Sequence, residues 1–257
     1  MFSRLFSRRA QIAEMPLTEA PSGTRIYAIG DVHGCVELLR KLQSMILEDA
    51  ADHPDARKVV VYLGDYIDRG PDSRAVIDLL IDEKLPGFES VFLRGNHEES
   101  LLQFLDDTRI GPAWLAYGGD STLYSYGVRP PASTNPEDLA AAQTELLRLL
   151  PASHLEFYRA TKLTHVEGDY AFVHAGFREN VALDRQSADD MLWIRDEFLE
   201  SNADFGKLVV HGHSISESPI VRRNRIGIDT GAFATGVLTS LVLEGADRAF
   251  LATSPKG

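Results

Sequence analysis

Short apolar runs separated by segments of helical periodicity are the feature that most restricts the fold of this chain. The runs occupy residues 25–29, 59–63, 91–93, 170–173, 208–210 and 239–243. Runs of this length, rich in valine, isoleucine and leucine, predict buried β-strands. Apolar residues at helical spacing follow two early runs, over 36–46 and 76–81, and a further helix is predicted over 136–150. The alternation predicts an α/β fold.

Five of the runs end in clusters of glycine with aspartate, asparagine or histidine. The clusters are Gly30-Asp31-Val32-His33-Gly34, Gly64-Asp65-Tyr66-Ile67-Asp68-Arg69-Gly70, Arg94-Gly95-Asn96-His97-Glu98, His174-Ala175-Gly176 and His211-Gly212-His213-Ser214. Because open α/β sheets bind their ligands at the carboxyl ends of strands, we expect these loops to converge on one rim. Glycine lets the backbone turn sharply and approach a small charged ligand closely.

The side chains of these clusters suit a metal centre. Five of the eight histidines lie in the clusters, interleaved with Asp31, Asp65 and Asn96. Imidazole, carboxylate and amide ligands together suit Mn²⁺, Fe²⁺ or Zn²⁺, whereas the single cysteine, Cys35, disfavours a thiolate-rich zinc site. Three of these histidines with Asp31, Asp65 and Asn96 give six candidate ligands, more than one catalytic ion takes, and two ions that share a carboxylate would use them all. The residues therefore predict a dinuclear metal hydrolase.

The charge balance and the two ends limit the partners and the organisation. The 257 residues include 26 Lys plus Arg and 38 Asp plus Glu, a net charge of −12, which disfavours a nonspecific nucleic-acid binder. With one cysteine and no long apolar run, we expect a cytoplasmic protein without stable membrane association. We predict a flexible tail over 1–23, one domain over 24–250 with an insertion at about 111–165, and a second tail over 251–257. An amphipathic docking segment based on Phe2, Leu5 and Phe6 is the alternative for the first tail.

The glycine-flanked blocks resemble the signature of the calcineurin-like metallophosphoesterases, within the protein serine/threonine phosphatase family. The matching series is Gly30-Asp31-x-His33-Gly34, Gly64-Asp65-x-x-Asp68-Arg69-Gly70 and Gly95-Asn96-His97-Glu98. Blocks 174–176, 212–214 and 225–232 are similar to later blocks of the family, and 114–119 is similar to its small bacterial and bacteriophage-type branch. The resemblance implies a four-layer α/β fold in which two mixed β-sheets pack face to face and are flanked by α-helices.

The resemblance also implies a role for each matching residue. The implied metal ligands are Asp31 and His33 for a first ion, Asp65 as the bridge, and Asn96, His174 and His213 for a second ion. His97 would be the general acid that protonates the leaving group, and Asp68 would orient it. Arg69, Arg94 and Arg195 would bind phosphate oxygens through the planar guanidinium group. The implied cofactors are two divalent metal ions, with Mn²⁺ favoured and Fe²⁺ or Zn²⁺ as alternatives.

Several of these residues also have a structural interpretation. The alternatives are an Asp68–Arg69 pair or a cap of the next turn by Asp68, an internal ion pair of Arg94, and pairing of Arg195 with Asp196 or Glu197. Glu98 is expected to support the loop around His97 or the helix after it, and His211 is expected to pack near the site without binding metal. The aromatic side chains that either line a substrate wall or pack the insertion are Trp114, Tyr117, Tyr124 and Tyr126.

The first hypothesis for function is a metal-dependent phosphomonoesterase, a protein serine/threonine phosphatase in which a hydroxide that bridges the two ions attacks the phosphoester. Its partners would be phosphorylated proteins or peptides. The alternative is a small-molecule phosphohydrolase acting on small phosphoesters, such as a symmetrical diadenosine tetraphosphate hydrolase. A catalytically inactive metal-binding scaffold is disfavoured, because every expected position is filled. The sequence predicts no oligomeric state.

Overall fold

The computed structural model describes residues 18–254. The predicted tail over 1–23 therefore lies mostly outside the described residues, as do the last three residues of the predicted C-terminal tail. The domain limits at 24 and 250 stay predictions, although the last strand continues to Ala252.

The described residues form ten β-strands in two sheets of five. The strands are β1 (Thr24–Ile29), β2 (Arg57–Tyr62), β3 (Phe88–Phe92), β4 (Thr164–Glu167), β5 (Tyr170–Val173), β6 (Leu208–His211), β7 (Ile220–Val221), β8 (Arg225–Gly227), β9 (Thr239–Glu244) and β10 (Asp247–Ala252). The first sheet has the order β10-β9-β1-β2-β3, and the second has the order β4-β5-β6-β8-β7. Each sheet contains three neighbouring parallel strands and two antiparallel pairings, so both sheets are mixed.

Helices cover the outer faces of both sheets. They are α1 (Val36–Ala51), α2 (Ser73–Asp82), α3 (Asn96–Asp106), α4 (Gly111–Trp114), α5 (Asp120–Ser125), α6 (Pro136–Leu149), α7 (Ala152–Ala160), α8 (Ala188–Trp193), α9 (Asp196–Leu199) and α10 (Ala232–Thr235). A π-helical turn, Leu115–Gly119, joins α4 to α5. The first sheet packs against α1, α2, α3 and the helices of the insertion, and the second packs against α8 and α9. Within residues 18–254, no helix has the length and apolar character needed to cross a membrane.

Three apolar clusters separate four layers. The inner cluster joins the two sheets and includes Ile26 and Ala28 of β1 with Phe172 of β5. The alternate residues of β1, Tyr27 and Ile29, face the helices. Strands buried on both faces produce continuous apolar runs, which explains the sequence pattern. The predicted four-layer α/β fold is confirmed.

The predicted elements are present, and their limits differ by at most three residues except at the end of α1, which extends five residues past position 46. For α6, the Asn135 side chain accepts a hydrogen bond from the Asp138 amide at 2.7 Å, and Pro136 occupies the first helical position. The apolar pattern does not predict β4, β7 and β10. These strands lie at sheet edges and are short or exposed, so they lack the second buried face that marks the inner strands.

Candidate metal centre

The loops after β1, β2, β3, β5 and β6 converge on one buried site. Asp31 Oδ2 accepts a hydrogen bond from the amide of His213 at 3.0 Å. Asp65 Oδ1 accepts one from the amide of His97 at 3.1 Å. His174 Nε2 lies 3.5 Å from Asp65 Oδ2. Residues from both sheets thus form a single site, as the polar clusters at the strand ends predict.

Two groups of side chains that can bind metal share the Asp65 carboxylate. One group contains His33 and His97, the other contains His174 and His213, and within each group the ligating atoms lie within 4.8 Å of one another. Asp65 Oδ2 lies 3.6 Å from His33 Nε2 and 3.5 Å from His174 Nε2. A carboxylate between two groups of imidazoles is the arrangement expected of a bridging ligand in a two-metal site.

Backbone carbonyls fix the tautomers of two histidines. His33 Nδ1 lies 2.9 Å from the carbonyl oxygen of Ile67, and His174 Nδ1 lies 2.9 Å from that of Leu63. A carbonyl only accepts hydrogen bonds, so in each neutral ring Nδ1 carries the proton and Nε2 presents a lone pair to the site. A hydrogen bond of this kind is the usual device that orients a metal-binding histidine.

The second group brings acceptor atoms together. Asn96 Oδ1 lies 2.9 Å from His174 Nε2 and 2.8 Å from His213 Nδ1, and those two ring nitrogens are 3.1 Å apart. Burial lowers the pKa of both histidines, so both rings are neutral. Asp65 Oδ2 lies beside these atoms, so lone pairs of nitrogen and oxygen face one another. Few hydrogen atoms are available to form hydrogen bonds between them. This donor set fits a divalent ion such as Mn²⁺, Fe²⁺ or Zn²⁺.

Asp31 and Asp229 form a pair of buried carboxyls beside these groups. Asp31 Oδ1 and Asp229 Oδ2 have no hydrogen-bond partner among the described residues. Burial and the carboxyls of Asp229 and Asp65 raise the pKa of Asp31, and burial raises the pKa of Asp229 to about 6. A bound cation would stabilise the charged forms of these two buried carboxyls, so the pair fits a metal site. Asp229 has no predicted role, although its place just after β8 is the same signal that marks the other clusters.

Five residues of the site have a left-handed backbone, which residues other than glycine rarely adopt. They are His33 (φ 44°), Asp65 (φ 50°), Asp68 (φ 70°), Arg69 (φ 66°) and His213 (φ 63°). Elsewhere in residues 18–254, the only such residue is Asn180. Each conformation costs about 1–3 kcal/mol. Their concentration here indicates a geometry maintained for function.

Replacement of Gly95 by alanine is expected to displace the Asp65 carboxylate. The backbone of Gly95 is extended (φ −94°, ψ 172°), so space is the only restriction. A Cβ at this position would lie 2.0 Å from Asp65 Oδ1. We expect metal affinity, measured by titration, to fall about 10–100-fold, the usual effect of disturbed ligand support. Gly87→Ala is the control, because Gly87 lies in a left-handed turn and no atom lies within 4 Å of an added Cβ. That variant strains the backbone without displacing a side chain. Unchanged affinity in Gly95→Ala would contradict the bridging position of Asp65.

His97 and Asp68 form a hydrogen-bonded pair beside the first group. His97 Nδ1 lies 2.7 Å from Asp68 Oδ2, and Asp68 is fully buried. Burial lowers the pKa of His97, but the carboxylates of Asp65 and Asp68 outweigh this effect and hold the pKa above its ordinary value. His97 Nε2 faces the site, 3.9 Å from Asp65 Oδ2. This arrangement is suited to delivering a proton from Nε2.

The buried side chain of Glu98 holds the loop that carries Asp65. Glu98 Oε2 accepts hydrogen bonds from the amides of Asp65 at 2.9 Å and Gly95 at 2.8 Å, and Oε1 accepts one from Tyr66 at 2.8 Å. The Gly95 contact is one half of a capping box, in which the side chain at the third helical position of α3 accepts from the N-cap amide. These contacts agree with the supporting role expected of Glu98.

Two of the predicted phosphate-binding arginines lie near the site. Arg69 is half-buried across it, with Nη1 3.0 Å from His33 Nε2 and Nη2 3.2 Å from His97 Nε2. Arg195 is exposed, and its charge contributes to lowering the pKa of His213. No hydrogen bond or ion pair holds its guanidinium within residues 18–254, so neither predicted acidic partner pairs with it. Both arginines are placed to meet an anion.

Arg94 is held by other parts of the protein. Its Nη1 donates to Glu99 at 2.9 Å, its Nε donates to Thr161 at 3.1 Å, and its Nη2 contacts two carbonyls at the end of α7. A cation at the carboxyl end of a helix is favourable because carbonyl groups point outwards there. These contacts favour the structural alternative for Arg94 over its predicted phosphate contact.

The aromatic side chains of the insertion divide into two pairs. Trp114 and Tyr126 are buried, whereas Tyr117 and Tyr124 are 62% and 65% exposed. Trp114 Nε1 donates to Asp68 Oδ2 at 2.9 Å. Trp114 therefore packs the insertion and also contacts the His97–Asp68 pair, and no sequence signal pointed to that contact.

His211 and Cys35 lie outside both groups of metal-binding side chains. His211 is buried, and the centre of its ring lies 5.1 Å from that of Phe198, which agrees with its expected packing role. Burial raises the pKa of the Cys35 thiol to about 11, so the thiol stays protonated. Neither residue adds a nucleophile to the site.

The chain is similar to known proteins over most of its length. The family model described as calcineurin-like phosphoesterase matches residues 24–232. A protein named bis(5'-nucleosyl)-tetraphosphatase PrpE (asymmetrical) from Geobacillus thermodenitrificans (strain NG80-2) is 28% identical over 237 residues, which cover 83% of this chain and 88% of that protein.

Two solved structures share the fold. A candidate diadenosine tetraphosphatase superposes with a TM-score of 0.61 at 20% identity, covering 93% of this chain and 98% of that chain. A cold-active protein tyrosine phosphatase superposes with a TM-score of 0.60 at 19% identity, covering 92% of this chain and 81% of that chain. At these identities the likeness concerns the fold alone.

Proposed function

The chain belongs to the calcineurin-like phosphoesterase family, and we propose that this metallophosphoesterase hydrolyses a phosphate ester or anhydride bond of a nucleotide. The specific substrate class we propose is a bis(5'-nucleosyl) tetraphosphate. The relative from Geobacillus thermodenitrificans, which matches 83% of the chain, supports this choice by its name. The small-molecule phosphohydrolase thus replaces the protein phosphatase as first hypothesis.

Two partly exposed aromatic rings beside the site carry this proposal. Phe233 of α10 is 38% exposed, and its ring lies 5.3 Å from that of His33. Trp193, the last residue of α8, is 40% exposed, and its ring lies 6.5 Å from that of His213. The Arg69 guanidinium lies 4.8 Å from the centre of the Phe233 ring. Flat rings at the rim of a charged site provide stacking surfaces for nucleobases, while the charged groups bind the phosphates.

The side chains of the site divide the remaining chemistry among them. The residues that would hold two divalent ions are Asp31, His33, Asp65, Asn96, His174 and His213. Such ions, when bound, activate water and offset the charge of the phosphoryl group. Arg69 binds phosphate oxygens within the site, and Arg195 approaches them from the exposed side. His97 donates a proton from Nε2 to the leaving oxygen, while Asp68 holds the ring through Nδ1.

A side-by-side turnover assay tests the substrate. Diadenosine tetraphosphate, a phosphoserine peptide and 4-nitrophenyl phosphate are offered to metal-stripped protein before and after addition of Mn²⁺, Fe²⁺ or Zn²⁺. We expect metal-dependent turnover, with the highest kcat/KM for the dinucleotide. The nucleotide products distinguish asymmetrical cleavage, named for the relative, from the symmetrical cleavage of the sequence-based alternative. Turnover of the phosphopeptide alone would overturn the nucleotide proposal.

Phe233→Ala is expected to raise the KM for the dinucleotide about 10-fold, because stacking of a base on an aromatic ring contributes about 1–3 kcal/mol. The KM for the phosphopeptide should stay near the wild-type value. Phe250→Ala is the matched control, since Phe250 is 40% exposed on the edge strand β10. Equal dinucleotide KM values for Phe233→Ala and the wild type would remove the stacking argument.

Hydrolysis of a phosphorylated protein is the second candidate, and the His97–Asp68 pair favours it. The alkoxide of serine or threonine is a poor leaving group that needs a proton, whereas the phosphate of a nucleotide anhydride leaves more readily. A buried carboxylate 2.7 Å from the imidazole suits the poorer leaving group. Preferred turnover of the phosphopeptide in the assay above would support this candidate.

A further inference from the structure

We infer that Trp114 and Thr122 are positioning residues for proton donation, through which the insertion controls the orientation of His97. The inference rests on the proposed function, because it takes His97 as the acid that protonates the leaving group. Both residues act through Asp68. Trp114 lies 46 residues and Thr122 lies 54 residues further along the chain than Asp68.

Both oxygens of Asp68 are held by the insertion. Trp114 Nε1 donates to Oδ2 at 2.9 Å, and the same oxygen lies 2.7 Å from His97 Nδ1. Thr122 Oγ1 donates to Oδ1 at 2.5 Å and accepts a hydrogen bond from the Asp68 amide at 3.0 Å. An indole N–H only donates and a carboxylate only accepts, so Oδ2 accepts from Trp114 and His97 together. His97 therefore directs Nδ1 to Asp68 and Nε2 to the site.

Trp114 is itself held firmly in place. It is 1% exposed, and its ring lies 4.8 Å from that of Phe104 in α3. A Cβ added to Gly119 would lie 2.5 Å from the indole, so the turn packs directly on the ring. The carbonyl of Gly118 accepts a hydrogen bond from the Arg69 amide at 3.2 Å. The π-helical turn Leu115–Gly119 thus supports both the His97–Asp68 pair, through Trp114, and Arg69.

The contribution of this support depends on the leaving group. Asp68 is fully buried, so a lost donor is not replaced by bulk water and the carboxylate is free to adopt another orientation. A misplaced acid slows departure of a poor leaving group, which needs its proton in the transition state. An acidic phenol departs without that proton. Loss of the Trp114 N–H should therefore slow poor leaving groups selectively.

Trp114→Phe tests the inference in the full chain loaded with Mn²⁺. Phenyl phosphate is compared with 4-nitrophenyl phosphate, whose phenol is much more acidic. We expect kcat for phenyl phosphate to fall about 10-fold, the effect of one hydrogen bond to a charged group. The kcat for 4-nitrophenyl phosphate, both KM values and the metal content should change by less than about 3-fold.

Two further variants separate positioning from packing. Thr122→Val should show the same selective loss, and Thr122→Ser, which keeps the hydroxyl, should restore the rate for phenyl phosphate. Phe104→Leu is the packing control, because it disturbs the ring against Trp114 and leaves both donors to Asp68. Any loss that it causes should be equal for the two substrates.

The outcomes distinguish this inference from the proposed function. An equal fall for both phosphate esters in Trp114→Phe, or no fall for either, would overturn the positioning role while the wild type stays active. Absence of turnover of every ester and of the dinucleotide by the metal-loaded wild type would overturn the proposed function itself.

Discussion

His97→Ala is expected to lower kcat for phenyl phosphate by about 10²–10⁴-fold, the usual contribution of a general acid or base, while the protein keeps its metal. The reason is the orientation of the imidazole. Its Nδ1 lies 2.7 Å from Asp68 Oδ2, and its Nε2 faces the site 3.9 Å from Asp65 Oδ2. The measurements are kcat and the metal content of the purified variant after reconstitution with Mn²⁺.

The metal content separates an acid from a ligand. By distance alone, His97 belongs to the same group as His33 and Asp65, so its position is compatible with either role. Loss of one ion from His97→Ala, with activity restored by excess metal, would make His97 a ligand. Asp68→Asn is the matched variant, because it removes the carboxylate behind the ring and leaves both groups intact. We expect it to keep its metal and to lose less activity than His97→Ala.

The sequence predicted the shared rim of the site because each cluster directly follows a strand. Asp31, Asp65 and His174 come from strands of two different sheets, yet their side chains meet. In each sheet the strands concerned are parallel, so their carboxyl ends lie at one edge. Asp229 obeys the same rule after β8, and it could have been found in the same way.

Contacts that depend on tertiary packing had no such signal. Arg94 stands next to a predicted ligand block, but its guanidinium is directed to Glu99 and the end of α7. That direction is decided by where α7 packs, and a strand pattern carries no information on it. Trp114 and Thr122 reach Asp68 from an insertion whose short helices have weak periodicity. Long-range polar contacts of this kind leave no spacing rule in the chain.

Asp65→Asn is expected to remove both metal ions. The loss of activity should exceed the factor of about 10–100 that is usual when only the support of a ligand is disturbed. The asparagine keeps the shape of the side chain and an oxygen that can accept from the His97 amide, now 3.1 Å from Asp65 Oδ1. It loses the charge that both groups share, since Oδ2 lies 3.6 Å from His33 Nε2 and 3.5 Å from His174 Nε2. Metal titration and kcat for 4-nitrophenyl phosphate measure the effect.

The comparison with Asp229→Asn makes this test specific. Both variants neutralise a buried carboxyl of the same site, but only Asp65 lies between the two groups of imidazoles. If Asp65 bridges two ions, Asp65→Asn loses both and Asp229→Asn keeps both. Two ions retained in Asp65→Asn with wild-type affinity would contradict a bridge, and each group would then have to hold its ion independently.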